Sequence, residues 1–134
     1  MRKQINRKWY LADARNRVLG RLATEIAKIL QGKNLANYEP HKDMGQVVVV
    51  INAKDVKLTG KKATQKEYRH HTGYLGGLKT ETFQELIKTK PEEVIKRAVW
   101  NMLPKNKLRK KRILRLKIYA GSEHPHQAQK LEEI

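Results

Sequence analysis

The spacing of apolar residues changes twice in the first fifty positions. Residues 9–13, Trp-Tyr-Leu-Ala-Asp, read as a short strand. From Leu19 onward Leu19, Leu22, Ala23, Ile26, Ala27 and Leu30 recur at i, i+3, i+4 and i+7, which predicts a helix with one buried face. Asn16 is a candidate cap for its start, and Gly32 stands where a left-handed residue ends a helix without a Cβ clash. Beyond a polar loop with Pro40 and Gly45, the run Val47, Val48, Val49, Val50 and Ile51 is β-branched and apolar without alternation, as in a strand covered on both faces. Strand, helix and buried strand form a right-handed βαβ unit, and so predict a parallel sheet.

Farther along, Val56 and Leu58 mark a candidate short strand within residues 54–60, and residues 61–77 read as irregular surface chain. Phe83, Leu86 and Ile87 predict a short helix opening near Thr80. A second helix begins near Pro91, whose missing N–H is harmless in a first turn, with Glu92 and Glu93 complementing the helix dipole. Val94, Ile95, Ala98, Val99, Met102 and Leu103 form its expected buried stripe, and Pro104 ends it. Leu116 and Ile118 alternate within 115–119 as in a half-buried strand, closed by Gly121. Residues 122–134 read as a loosely held tail and residues 1–8 as a basic N-terminal arm. With no internal repeat or linker, residues 1–134 read as one α/β domain on a mostly parallel sheet.

Charge turns the question from fold to partner. Thirty Lys and Arg against thirteen Asp and Glu give a net charge of +17, which repels itself and is best tolerated against a polyanion. Residues 105–117 alone hold eight cations and no acid, whereas solvated faces ordinarily mix both signs. Nucleic acid is the partner this implies. No stretch approaches the ~18 apolar residues of a spanning helix, no basic segment has a wide apolar face, and residues 1–8 lack the apolar core of a secretory signal. A cytoplasmic location, or an organelle interior, is expected. The chain has no cysteine, which excludes disulfides, thiolate metal sites and cysteine nucleophiles.

Candidate RNA contacts fall into clusters. Lys105, Lys107, Arg109, Lys110, Lys111, Arg112 and Arg115 make up most of the basic segment. The consecutive residues 109–112 are expected to fan around a helix, which suits phosphates from different strands of folded RNA, while Leu108, Ile113 and Leu114 pin one edge to the domain. Replacing all four cations by Gln is expected to weaken RNA binding without unfolding the chain. Arg2, Lys3, Arg7 and Lys8 lie before the first strand; Arg15, Arg17 and Arg21 lie at the turn into the first helix, whose N-terminus favours an anion. His70 and His71 read as RNA contacts, and Tyr38, Tyr68 and Tyr74, in apparent loops, as base-stacking candidates. Trp9, Tyr10, Trp100 and Tyr119 read as core.

Catalytic readings fail on spacing. A phosphate loop G-x-x-x-x-G-K-[ST] ending at Lys61 needs Gly where Asp55 stands and Ser or Thr where Lys62 stands. No G-x-G-x-x-G follows the first strand. His70-His71 and His124-Pro125-His126 lack a third metal ligand at convincing spacing, and the carboxylates are scattered. No cofactor, metal or small-molecule substrate is expected. The rival readings are a general RNA-chaperone or nucleic-acid-compacting module and an RNA-modifying or nucleotide-using enzyme.

Several blocks in order carry a family likeness: Trp9 with Asp13-Ala14, Leu19-Gly20-Arg21-Leu22-Ala23, Tyr38 with Pro40-His41, His70-His71-Thr72-Gly73-Tyr74 with Gly76-Gly77, Met102-Leu103-Pro104, and Tyr119-Ala120-Gly121 with Glu123-His124-Pro125-His126. Together they resemble the bacterial-type large-subunit ribosomal protein L13 family, nearly end to end. The departures are Asn101, where the family usually has Gly, and Gln46, where it usually has an acid. The resemblance implies a three-layer α/β/α domain around a four-stranded parallel sheet and a non-catalytic structural role in the large ribosomal subunit and its early assembly. It also implies partners, namely large-subunit ribosomal RNA and neighbouring large-subunit proteins. The RNA-facing surface it implies comprises the N-terminal cluster, residues 61–71 with Lys61, Lys62, Arg69, His70 and His71, and the basic segment after Pro104.

Overall fold

The computed structural model describes residues 7–36, 39, 41–43, 45–58, 67–71, 73, 75–126 and 128–134, and at 70 and 71 the backbone alone. The βαβ unit forms where the apolar spacing puts it: β1 (Trp9–Asp13), α1 (Leu19–Gln31) and β2 (Val47–Ile51). A 3₁₀ turn (Ala53–Asp55) follows, then β3 (Glu67–His71), β4 (Leu78–Thr82), α2 (Phe83–Thr89), α3 (Pro91–Met102), α4 (Arg109–Ile113), β5 (Leu116–Ile118) and β6 (Leu131–Glu133).

The main sheet has four strands in the order β5-β2-β1-β6, all parallel. Trp9 pairs with Val47 and Leu131, and Val48 with Leu116, so Tyr10, Ala12, Val48, Val50, Leu116 and Ile118 share one face. That face meets the apolar stripes of α1 and α3, where Leu22, Ile26, Leu30, Val94, Ile95 and Val99 are fully buried. Val49 points the other way and is also fully buried, which makes β2 the doubly covered strand its composition predicts. At about 25 cal/mol per Å² of apolar surface, these side chains dominate the stability of the fold.

Helix ends follow local chemistry. Gly32 adopts φ 82° at the C-cap of α1, with its N–H donated to Ile29 O at 3.1 Å. The Thr82 side chain accepts from Glu85 N at 3.3 Å and caps α2, and Pro91 opens α3. Asn16 does not cap α1: Val18 holds that position, and Asn16 makes the preceding turn with φ 60°, a left-handed conformation that Asn tolerates.

Three segments differ from expectation. Residues 54–58 supply only an isolated parallel bridge, Val18 with Lys57, because the 3₁₀ turn takes up their first half. Within 61–77, β3 pairs antiparallel with β4, from Glu67 with Thr82 to His71 with Leu78. These strands are mostly polar, so they carry no apolar alternation to betray them. Residues 131–133, in the segment read as a loose tail, form β6 at the edge of the main sheet, and Ile134 N donates to Leu11 O at 3.0 Å. Glu132 and Glu133 there give the edge the charge that discourages further strand addition.

Candidate nucleic-acid interface

Parallel strands bring all their amino ends to one pole of the sheet and all their carboxyl ends to the other. At the amino pole Arg7 and Lys8 precede β1, Asp43, Gly45 and Gln46 precede β2, and α4 with Arg115 precedes β5. There Asp43 organises the cations. Arg115 donates Nη1 to Asp43 Oδ2 at 2.8 Å and Nη2 to Oδ1 at 2.6 Å, a bidentate pair, and Nη2 also reaches Leu30 O at 2.9 Å. Arg7 places Nη2 3.8 Å from Asp43 Oδ2 and donates to the carbonyls of Asp43 and Gly45. Arg112, 1% exposed, adds its positive charge to the field at Asp43.

Burial opposes ionisation of Asp43, but the hydrogen bonds and charge of Arg115, then the charges of Arg7 and Arg112, outweigh it and hold the carboxyl below its ordinary range. Desolvation and the nearby Arg115 lower the pKa of Arg7, opposed by Asp43, and a guanidinium stays charged throughout. The packing leaves no slack. An ideal Cβ on Gly45 would collide with the Leu30 carbonyl and lie 2.5 Å from Arg115 Nη2. Gln46, 3% exposed, closes the same corner by accepting from Lys8 N at 2.5 Å.

The fan of cations expected at 109–112 is thereby corrected. Successive residues on a helix turn by about 100°, so a helix that packs one face must bury some of four consecutive side chains. Arg112 and Ile113 go inward; Lys110 and Lys111 stay exposed, as do Lys105 and Lys107. Arg109 is half-buried, its guanidinium 4.0 Å from the Trp100 ring centroid, with Nε donating to Trp100 O at 2.9 Å. Leu114, expected to pin an edge, is 70% exposed, and Met102, expected in the buried stripe, is 42% exposed. Arg112 and Arg115 therefore hold the fold together, and the outward cations of this pole include, among the described residues, Lys8, Lys105, Lys107, Lys110 and Lys111.

The carboxyl pole lies roughly 16 Å away, the length of a five-residue strand. Asp13 at the end of β1 accepts from Asn52 Nδ2 and Arg15 N, both at 2.9 Å, and these bonds, the Asn52 one foremost, lower its pKa. Arg15 reaches out 3.8 Å from Asp55. Arg17 is pinned, donating to Glu25 Oε2 at 2.5 Å and Ile134 O at 3.2 Å. Arg21 is exposed on α1. Lys54 and Lys57, which the sequence did not single out, extend the same pole, and Lys54 shares a crevice with Arg15.

Elsewhere Arg69 pairs with Glu67 at 2.9 Å on β3. Tyr68, expected in a loop as a stacking platform, is a β3 residue only 8% exposed, with Arg97 over its ring at 5.4 Å. Burial raises its pKa against the charge of Arg97. Arg2, Lys3, Lys61, Lys62, Tyr38, Tyr74 and the side chains of His70 and His71 lie outside the described residues. Among the described residues no three His, Cys, Asp or Glu side chains gather as a metal site would require, and no helix is long and apolar enough to cross a membrane.

An α/β scaffold carrying outward cations at both ends of its main sheet defines a strongly basic α/β protein. Comparison with known proteins identifies which kind. The family described as ribosomal protein L13 matches residues 7–125, and the chain belongs to that family, which is structural and non-enzymatic. It is 56% identical over 129 residues to large ribosomal subunit protein uL13 of Natranaerobius thermophilus, covering 96% of this chain and 90% of the relative. It is 55% identical over 130 residues to that of Clostridioides difficile, covering 97% and 91%. With uL13 of Nostoc sp. it shares 54% over 132 residues, covering 98% and 87%.

Proposed function

We propose that this chain is a structural component of the large ribosomal subunit, working in the cytoplasm. It binds large-subunit ribosomal RNA beside neighbouring large-subunit proteins and ties RNA segments together early in assembly. The observation that carries this reading is the pair of cationic poles on one rigid sheet: Lys8, Lys105, Lys107, Lys110 and Lys111 at one end, and Arg15, Arg21, Lys54 and Lys57 at the other. RNA segments packed side by side repel through their phosphates. A scaffold that presents fixed cations to two segments at once screens that repulsion at each pole and sets the spacing between them.

Recognition in this reading is of shape and phosphate spacing, because the A-form major groove is too narrow for side chains to read. Contact with about eight phosphates gives a slope of log affinity against log salt of roughly −6, at ~0.7 per contact. Residues 1–134 act as one unit, with Arg2, Lys3 and Lys8 contacting RNA at the N-terminus. Sucrose-gradient fractionation of lysate, at magnesium concentrations that keep or split the subunits, tests the assignment. The expected result is co-migration with the large subunit through a moderate-salt wash. Recovery only with bulk nucleic acid would instead favour a general RNA chaperone.

A further inference from the structure

The carboxyl ends of β1, β2 and β5 leave an open crevice of about 530 Å³, within the range of sites that hold small ligands. Its floor is rigid. Asn52 is buried with its amide fixed on Asp13; Asn52 N donates to Gly121 O at 2.9 Å and Ala53 N to Tyr119 O at 3.1 Å, which ties residues 119–121 to the end of β2. Arg15 and the exposed Lys54 supply positive charge at the lip. Tyr119 forms a wall, braced from behind: its hydroxyl shares a 2.7 Å hydrogen bond with His126 Nε2, and the His126 ring lies 5.2 Å from that of Trp9. The Tyr119 ring also lies 5.8 Å from that of His126, so the side chain is held in place beside the crevice. Ser122 and Glu123, both exposed, also line it.

A second groove shares Arg15 and Lys54 and runs on past Asn16, Asp55 and Lys57. The crevice thus opens onto a track where Arg15, Lys54 and Lys57 outnumber the one carboxylate of Asp55, which suits a polynucleotide that must enter and leave better than a ligand enclosed on its own. We propose that one unpaired nucleotide of ribosomal RNA docks here, its phosphate between Arg15 and Lys54 and its base against Tyr119. This rests on the ribosomal-RNA reading above and adds a built nucleotide site at the pole opposite the basic segment.

The test reconstitutes large subunits with the wild-type chain, with Arg15→Gln/Lys54→Gln and with Arg15→Lys/Lys54→Arg, and maps 2′-hydroxyl acylation along the RNA. The expected result is a short set of nucleotides protected by the wild-type chain, exposed by the Gln variant and protected again when both charges are kept. Lys54→Gln alone, at an exposed side chain, decides the matter if the double variant does not enter subunits, with partial loss of protection expected at the same nucleotides. Entry of the wild-type chain with no change in acylation for these variants overturns the nucleotide site and leaves ribosomal binding standing. Failure of the wild-type chain to enter overturns the ribosomal reading itself. In parallel, adenosine monophosphate is titrated against Trp9 and Trp100 fluorescence of the free chain. A saturable response that the Gln variant loses, with unchanged acylation, would assign the crevice to a free nucleotide and overturn its assignment to RNA.

Discussion

Asp43 takes both Nη atoms of Arg115 at 2.8 and 2.6 Å, and Arg7 and Arg112 add charge around it, so three arginines that look alike in composition face a carboxylate before they face any phosphate. Removing one partner of such a group leaves the others charged and poorly solvated. Asp43→Asn is therefore expected to cost about 3 kcal/mol at neutral pH, read by chemical denaturation. The pH dependence has a definite sign. The folded state holds the Asp43 carboxyl below its ordinary pKa, so its contribution is complete above about pH 4 and falls away as the pH drops through the folded pKa. The wild-type chain and the Asp43→Asn variant are expected to converge in stability under acid; a gap that stays constant to low pH would contradict the assigned role of Asp43. Nothing local in the sequence marks this residue, since Arg115 lies 72 positions away.

Among the elements, α1, α3 and β2 were legible because their apolar residues keep one period, and burial enforces that period. The strands β3, β4 and β6 were not, because Glu67-Tyr68-Arg69-His70-His71, Leu78-Lys79-Thr80-Glu81-Thr82 and Leu131-Glu132-Glu133 offer little apolar alternation. Their pairing rests on backbone hydrogen bonds to neighbouring strands. The short helix α4 is the instructive case. Charge alone marked it as an interface, but only packing decides that Arg112 turns in while Lys110 and Lys111 turn out. The expected fourfold Gln replacement without unfolding is accordingly withdrawn for Arg112. Lys110→Gln/Lys111→Gln is expected to leave the melting temperature near that of the wild type and to flatten the salt dependence of RNA affinity by about 1.4 in slope, at ~0.7 per lost phosphate contact. Arg112→Gln is expected to lower stability by at least about 2 kcal/mol. Equal melting temperatures for the two variants would refute the division of labour within α4.

At the scale of the whole molecule, a chain of net charge +17 presents outward cations at both ends of a parallel sheet. That arrangement follows from topology: right-handed crossovers return every strand in the same direction, so loops before the strands gather at one pole and loops after them at the other. The candidate interface was half legible on this scale. The family blocks and the basic segment identified the class, but Lys54 and Lys57 went unremarked because they join Arg15 only when the end of β2 meets the end of β1. The two poles make the central claim testable in one measurement, and the absence of native cysteine makes it clean. A hydroxyl-radical source is tethered to a single introduced cysteine, Lys111→Cys at the amino pole or Ser122→Cys at the carboxyl pole, and each chain is assembled into large subunits. Cleavage of ribosomal RNA at two separate segments, one per pole, is the predicted result. Cleavage from one pole only, or of the same segment from both, would contradict a scaffold that holds two segments together.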